Sequence, residues 1–262
     1  MRRLLRCGRG LIVGCAVMCA PTGALRAQPA VDHSAYDALL RQHVANGLVD
    51  YGAFAKAPAF AGYLQTLATA DLTPLDDRER LAFWINVFNA YTIQLIVKHG
   101  EQESIRNVNR SLGFLRPKGP WNEPLVKAAG RTLTLDEVFH RILRRDFREP
   151  RIHFAVVPAA LGAAPLRSEA YTGARLDTQL EDQTRRFLSD TARTWYRNGV
   201  LGVNRFLLAY QQDFGSSRQE LVAFVAPYLT LRPTEPQRER LAKGQPIVQG
   251  RSYDWALNSR RR

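Results

Sequence analysis

The chain has 262 residues, 37 Lys and Arg against 24 Asp and Glu, a formal charge of +13 and three cysteines. That length suffices for one sizeable core and demands no second domain. Cys7, Cys15 and Cys19 all lie near the start, so the rest of the chain has no disulfide staple, no cysteine metal site and no thiolate nucleophile.

Arg2, Arg3, Arg6 and Arg9 precede the ten-residue apolar block "LIVGCAVMCA", which ends at Pro21 and gives way to small residues closing at Ala27. The pattern predicts a secretory signal peptide over 1–27. The block is too short for a hydrocarbon core that needs about 20 residues. The mature chain is therefore expected to be periplasmic or secreted and not to span a membrane. Removing Arg2, Arg3, Arg6, Arg9 and Arg26 lowers the formal charge from +13 to +8. The remaining arginines are scattered without an interleaved stacking set of aromatics, so nucleic acid is not an expected partner. An unidentified small molecule or an anionic envelope component suits a basic exported surface better.

Taken in chain order, "DHSAYDALLRQHVANG" predicts an amphipathic helix with Ala35, Leu39, Leu40 and Val44 on one side. "LVDYGAF" reads as a short extended piece, and a helix follows around "PAFAGYLQTLATA". The strongest helix runs from about Asp76 to Lys98. It opens on charged residues, closes on Lys98, His99 and Gly100, and is apolar on every side in its middle, the signature of a helix buried all round. Gly113 to Gly130 reads as a loop packing Trp121. Thr134 and Glu137 then form a capping box ahead of a helix carrying Val138, Ile142 and Leu143. Ile152 to Val157 reads as a short strand or extended segment, "LDTQLEDQTRRFLSD" as a helix and "WYRNGVLGV" as a hairpin. "RFLLAYQQDFG" and "SRQELVAFVAPYL" give two further helices, and "QPIVQGRSYDWALN" an extended end. The fold class is α+β, a mostly helical single domain over 28–258 with a small antiparallel or mixed sheet, followed by a basic tail at 259–262.

Few residues carry chemistry. Asn86 and Asn89 share one face of the buried helix, where each amide must find partners; they read first as pins for loop backbone. Glu137 and His140 have the E-x-x-H spacing of bundle metal sites, but those need the motif twice, and the capping box already accounts for Glu137; no metal is expected. His153 is the most promising titratable group, a candidate general base beside apolar surroundings with Arg151 two residues before it. Ser168 lacks the flanking glycines of a nucleophile elbow. No phosphate loop or dinucleotide fingerprint is present, so no cofactor is expected.

The blocks "LAFWINVFNAYTIQLIV", "SIRNV", "LTLDEVFHRILR", "RIHFAVV" with "PLRSEAY", "LDTQLEDQTRRFL" and "YDWALN" occur in an order that resembles the domain of unknown function 547 family. The resemblance places Trp84, Asn86, Asn89, Arg151, His153, Arg167, Tyr171, Asp254 and Trp255 at positions of the family pattern. It also implies two cysteines flanking the loop after "HFA"; here those positions hold Pro158 and Ala163. Either a reactive thiol has been replaced, or a structural pair has been lost together.

The sequence thus points to an exported, non-catalytic module binding a ligand or envelope partner in a cleft between the Asn86 helix and the His153 segment, with Trp84, Asn86, Asn89, Arg151, Arg167, Tyr171, Asp254 and Trp255 as candidate pocket residues. The rival is a cysteine-independent hydrolase or transferase using His153 as general base, oriented by Asp254 or an asparagine, with Arg167 clamping an anion.

Overall fold

A computed structural model describes residues 31–109, 119–230, 234–243 and 246–260. The expected signal peptide, its cysteines and part of the loop before Gly119 lie outside the described residues. Helix α1 (Ser34–His43) leads through a two-residue hairpin, β1 (Val44–Ala45) with β2 (Leu48–Val49), to α2 (Tyr51–Lys56) and α3 (Pro58–Thr69). The extended reading of "LVDYGAF" holds only for its first residues. Asp50 accepts a hydrogen bond from the Ala53 N–H and starts α2 instead.

Helix α4 (Asp77–His99) is the axis of the molecule. Asp76 caps its first turn through the Glu79 N–H. Gly100 closes it at φ 59° with its N–H on the Ile96 and Val97 carbonyls, a left-handed position that suits a residue without Cβ. Every side chain from Leu81 to Ile93 is buried, so α1 to α3 and later segments wrap it on all sides. After it comes a hairpin, β3 (Val126–Ala128) with β4 (Arg131–Leu133), whose first strand and turn fall inside the stretch expected to be loop.

The capping box forms as read: Thr134 Oγ1 accepts from the Glu137 N–H at 3.0 Å, and Glu137 Oε2 from the Thr134 N–H at 3.0 Å. Helix α5 (Leu135–Glu137) then widens into a π-helix over Val138–Arg144 before a last α-turn, α6 (Arg145–Phe147). Such winding is rare and concentrates at functional sites.

Of the short strand or extended segment expected at Ile152 to Val157, Ile152–Ala155 is a single helical turn, α7, closed by the Val156 N–H on the Ile152 carbonyl; Val156 follows in the extended region. Helix α8 (Leu176–Leu188) follows. The predicted hairpin, β5 (Trp195–Arg197) with β6 (Val200–Asn204), gains a parallel third strand, β7 (Ile247–Arg251), so this sheet is mixed. Between β6 and β7 lie α9 (Arg205–Ala209), α10 (Gln211–Phe214), α11 (Arg218–Val225) and α12 (Glu235–Ala242). At the far end Asn258 accepts from the Tyr51 hydroxyl at 2.5 Å and donates to the Gly47 carbonyl at 3.1 Å, and the Arg260 N–H reaches the Val49 carbonyl at 2.9 Å. The tail expected from 259 is thus tied to β2 through Arg260.

The chain is α+β, mostly helical with small sheets, as expected. Its apolar interior forms two neighbouring clusters, a larger one around α4 and a smaller one among α8, the mixed sheet and α9 to α11. Helix α7 lies on the seam, with Ile152 and Ala155 in the first cluster and Phe154 in the second.

Candidate functional site

On that seam lies a cavity of about 650 Å³, within the range of small-ligand sites. The larger cluster contributes Phe88 and Leu135 to its wall; the smaller one contributes Phe206 and Tyr210. Trp121, Tyr253 and Trp255 close another side, with ring centroids 5.8 Å apart for Trp121 and Trp255 and 4.4 Å for Tyr253 and Trp255.

His153 is on this wall, and its side chain is only 2 % exposed. Its Nε2 lies 2.6 Å from Asp213 Oδ2. Asp213 also receives Arg144 as a fork, Nε to Oδ2 at 2.5 Å and Nη2 to Oδ1 at 2.9 Å. Arg144 Nη1 completes the cluster by donating to His140 Nδ1 at 2.8 Å. A guanidinium has only donors, so His140 presents a lone pair at Nδ1 and, when neutral, carries its proton on Nε2. A carboxylate only accepts, so His153 carries its proton on Nε2.

Burial is the strongest influence on His153 and holds it below the ordinary imidazole value, against the hydrogen bond and charge of Asp213. Burial opposes the charge of Asp213 too, but the hydrogen bonds from His153 and Arg144 outweigh it and hold that carboxyl far below its usual range. His140 is also lowered, by burial first. The cluster is therefore charge-balanced: Arg144 positive, Asp213 negative, both imidazoles neutral. Four rings pack around His153: Tyr210 at 4.9 Å, Phe214 at 5.0 Å, Phe139 at 5.5 Å edge-on and Phe206 at 5.9 Å stacked. The π-winding of 138–144 carries Phe139, His140 and Arg144 together.

The opposite wall is the loop from Pro158, and both expected cysteine positions, Pro158 and Ala163, line the cavity. The loop is rigidly held. Gly162 N–H donates to the Asp254 carbonyl at 2.8 Å, Asn204 Nδ2 to the Gly162 carbonyl at 2.9 Å and Arg193 Nη1 to the Ala163 carbonyl at 2.8 Å. A Cβ on Gly162 would sit 2.7 Å from the Asp254 nitrogen, so only glycine fits that approach. Ala159 is held at φ 52°, a strained conformation for a residue with a Cβ.

The candidates read from sequence do not converge here. His153 and Trp255 line this cavity. Trp84 and Arg151 line a second one of about 670 Å³. There Arg151 is engaged by Glu149, at 2.9 Å from Nε and 2.8 Å from Nη2, and by Asp177 at 2.8 Å. Asn86 and Asn89 are backbone clamps. Asn86 donates to the Tyr171 carbonyl at 2.8 Å and accepts from the Tyr171 N–H at 2.9 Å; Asn89 does the same between Ala155 and Val157, at 2.9 Å each. Tyr171 is buried, and its hydroxyl has no partner among the described residues. Arg167 is taken by Glu169 and Asp182, leaving no free anion clamp. Asp254 is exposed and accepts from the Ala256 N–H; Asp213 is the acid that orients His153. Glu137 is spent on its capping box and on Arg141, and no group of three or more metal-ligating side chains occurs among the described residues. Asp213 and Tyr210 escaped the sequence reading because they meet His153 across some 60 residues of chain, and the helical reading of "RFLLAYQQDFG" is their only trace; Arg144 lies in the quoted block "LTLDEVFHRILR", but its partner Asp213 is 69 residues away.

Fold and site together define a mostly helical α+β protein whose aromatic cavity is backed by a histidine, aspartate and arginine cluster. Residues 72–188 match the model of the family described as "Protein of unknown function, DUF547", so the resemblance read from the sequence holds over that stretch. Comparison with curated proteins and with solved structures yields no match.

Proposed function

We propose that the protein is an exported, non-catalytic binding module whose ligand, a small molecule or a fragment of an anionic envelope component, occupies the aromatic cavity. The observation that carries this reading is the composition of the wall. It offers abundant ring surface and the two imidazoles of a charge-balanced cluster, but no paired nucleophile and base among the described residues. The hydroxyl of Ser252 is on the wall, yet among the described residues it bonds to neither imidazole. Export rests on the arginine-led apolar block before Ala27. Among the described residues no helix is long and apolar enough to cross a membrane.

A second reading has one observation in its favour. Asp213 fixes His153 with its proton on Nε2, which leaves Nδ1 the basic nitrogen for activating water. One experiment separates the two. A thermal-shift screen of the purified chain against envelope fragments, metals and small metabolites is expected to find a ligand that raises Tm and is recovered unchanged after long incubation. Turnover of that ligand, lost in His153→Gln, would replace the binding reading with the hydrolytic one.

A further inference from the structure

Resting on the reading of the aromatic cavity as a ligand site, we infer that its ligand is a planar anion, stacked on the Trp121, Tyr253 and Trp255 rings with its negative group on Arg205. Arg205 opens α9, lies on the cavity wall and is exposed. Among the described residues it has neither an ion pair nor a hydrogen-bond partner. The one carboxylate of the wall, Asp136, stands 3.6 Å from His140 Nε2, the nitrogen that bears the proton because Nδ1 accepts from Arg144; Arg144 itself, off the wall, is forked onto Asp213.

An aromatic cavity would ordinarily invite a cation as readily as a flat acid, since ring faces are electron-rich. Here the protein has already placed guanidinium groups over several of those rings. Arg106 sits 5.7 Å from the Trp255 ring centroid; Arg144 sits 4.6 Å from that of Tyr210 and 5.8 Å from that of Phe139. A ligand cation would meet rings whose attraction is partly spent and would be repelled by Arg205. A planar anion gains on both counts, by stacking on polarised rings and by a charge-assisted pair with the unengaged guanidinium. The cavity volume of about 650 Å³ admits a fused two-ring body.

The test is calorimetric titration of the purified chain with three probes of one shape: 2-naphthoate, its neutral carboxamide, and 2-naphthyltrimethylammonium. The acid is expected to bind at least tenfold more tightly than the amide, and this preference should shrink as salt is raised. Arg205→Gln, at an exposed side chain without partners among the described residues, should remove that preference by bringing acid binding down to the level of the amide. Equal binding of acid and amide, or tighter binding of the ammonium probe, overturns the anion inference while leaving a ligand cavity standing. Binding of none of the three also overturns it; the cavity reading itself falls only if the broader thermal-shift screen finds no ligand either.

Discussion

The two cavities are nearly equal in volume, about 670 and 650 Å³, and are built against the same elements. Trp84 of α4 faces one and Phe88, a turn later, the other. Ile142 of the π-wound segment faces the first, Phe139 and His140 the second. Their chemistry differs. The Trp84 cavity carries four arginines and four carboxylates, and three of those arginines are committed: Arg78 to the Gly173 carbonyl, Arg80 to Asp77, and Arg151 to Glu149 and Asp177. Its remaining arginine, Arg131, shares a wall with all four acids. The His153 cavity has fewer charges, but Arg205 is uncommitted and shares its wall with the single carboxylate Asp136. The number of charges around a cavity therefore says little about its ligand; what counts is the charge left after internal pairing.

The largest expected effect tests whether the two sites are independent, and it uses the paired asparagines of α4. Asn89→Ala orphans the Ala155 carbonyl and the Val157 N–H; Asn86→Ala orphans both backbone groups of Tyr171. A buried polar group left unpaired costs about 1–3 kcal/mol, so each variant should lose on the order of 4 kcal/mol in urea unfolding. Only Asn89→Ala should also accelerate hydrogen exchange at Val157 and weaken ligand binding beside His153. If Asn86→Ala loosens Val157 equally, the two walls form one unit and the comparison fails.

What could be read in advance was whatever a local rule specifies. The α4 span follows from a long apolar run bracketed by Asp76 and Gly100. The capping box follows from Thr134 and Glu137, and the β5–β6 turn from Asn198 and Gly199, both at positive φ. The β3–β4 turn uses Ala129 and Gly130 at φ 49° and 70°. Alanine gives no hint of such a turn, so that hairpin passed for loop. "RIHFAVV" misled for another reason: a short apolar run cannot distinguish a buried strand from a buried helical turn. The Val157 N–H is satisfied by the Asn89 side chain rather than by a neighbouring strand. The site was half legible because His153 and Trp255 stand out singly, whereas the partner of His153 comes from α10, whose sequence carries no motif.

A second contrast, between two buried histidines, has a pH signature of intermediate size. His33 places Nδ1 2.8 Å from the Tyr63 hydroxyl, while its Nε2 has no partner among the described residues. Burial pushes it down to about 4, with Asp32 opposing weakly. His153 is lowered by burial but has Asp213 pulling upward. In both cases the unfolded chain binds the proton more readily, so stability rises with pH from the folded value up to the unfolded one near 6.5. Acidification from pH 7 to pH 4 should cost about 3 kcal/mol through His33. His33→Phe should flatten the stability profile between pH 4 and 6.5; an unchanged acid limb would reassign it to other groups.

The smallest effect belongs to the charge-rich cavity. Arg151 joins Glu149, each side chain 21 % exposed, and Asp177, whose side chain is 69 % exposed, so water still solvates part of what the pairs would gain. Arg151→Gln should therefore cost about 1 kcal/mol or less, and the difference should shrink in high salt. It should leave ligand binding at the His153 cavity untouched. A loss of several kcal/mol that persists in high salt would mean that the arginines and carboxylates of that wall form a desolvated network, and the Trp84 cavity would then be a structural seam closed by its own charges.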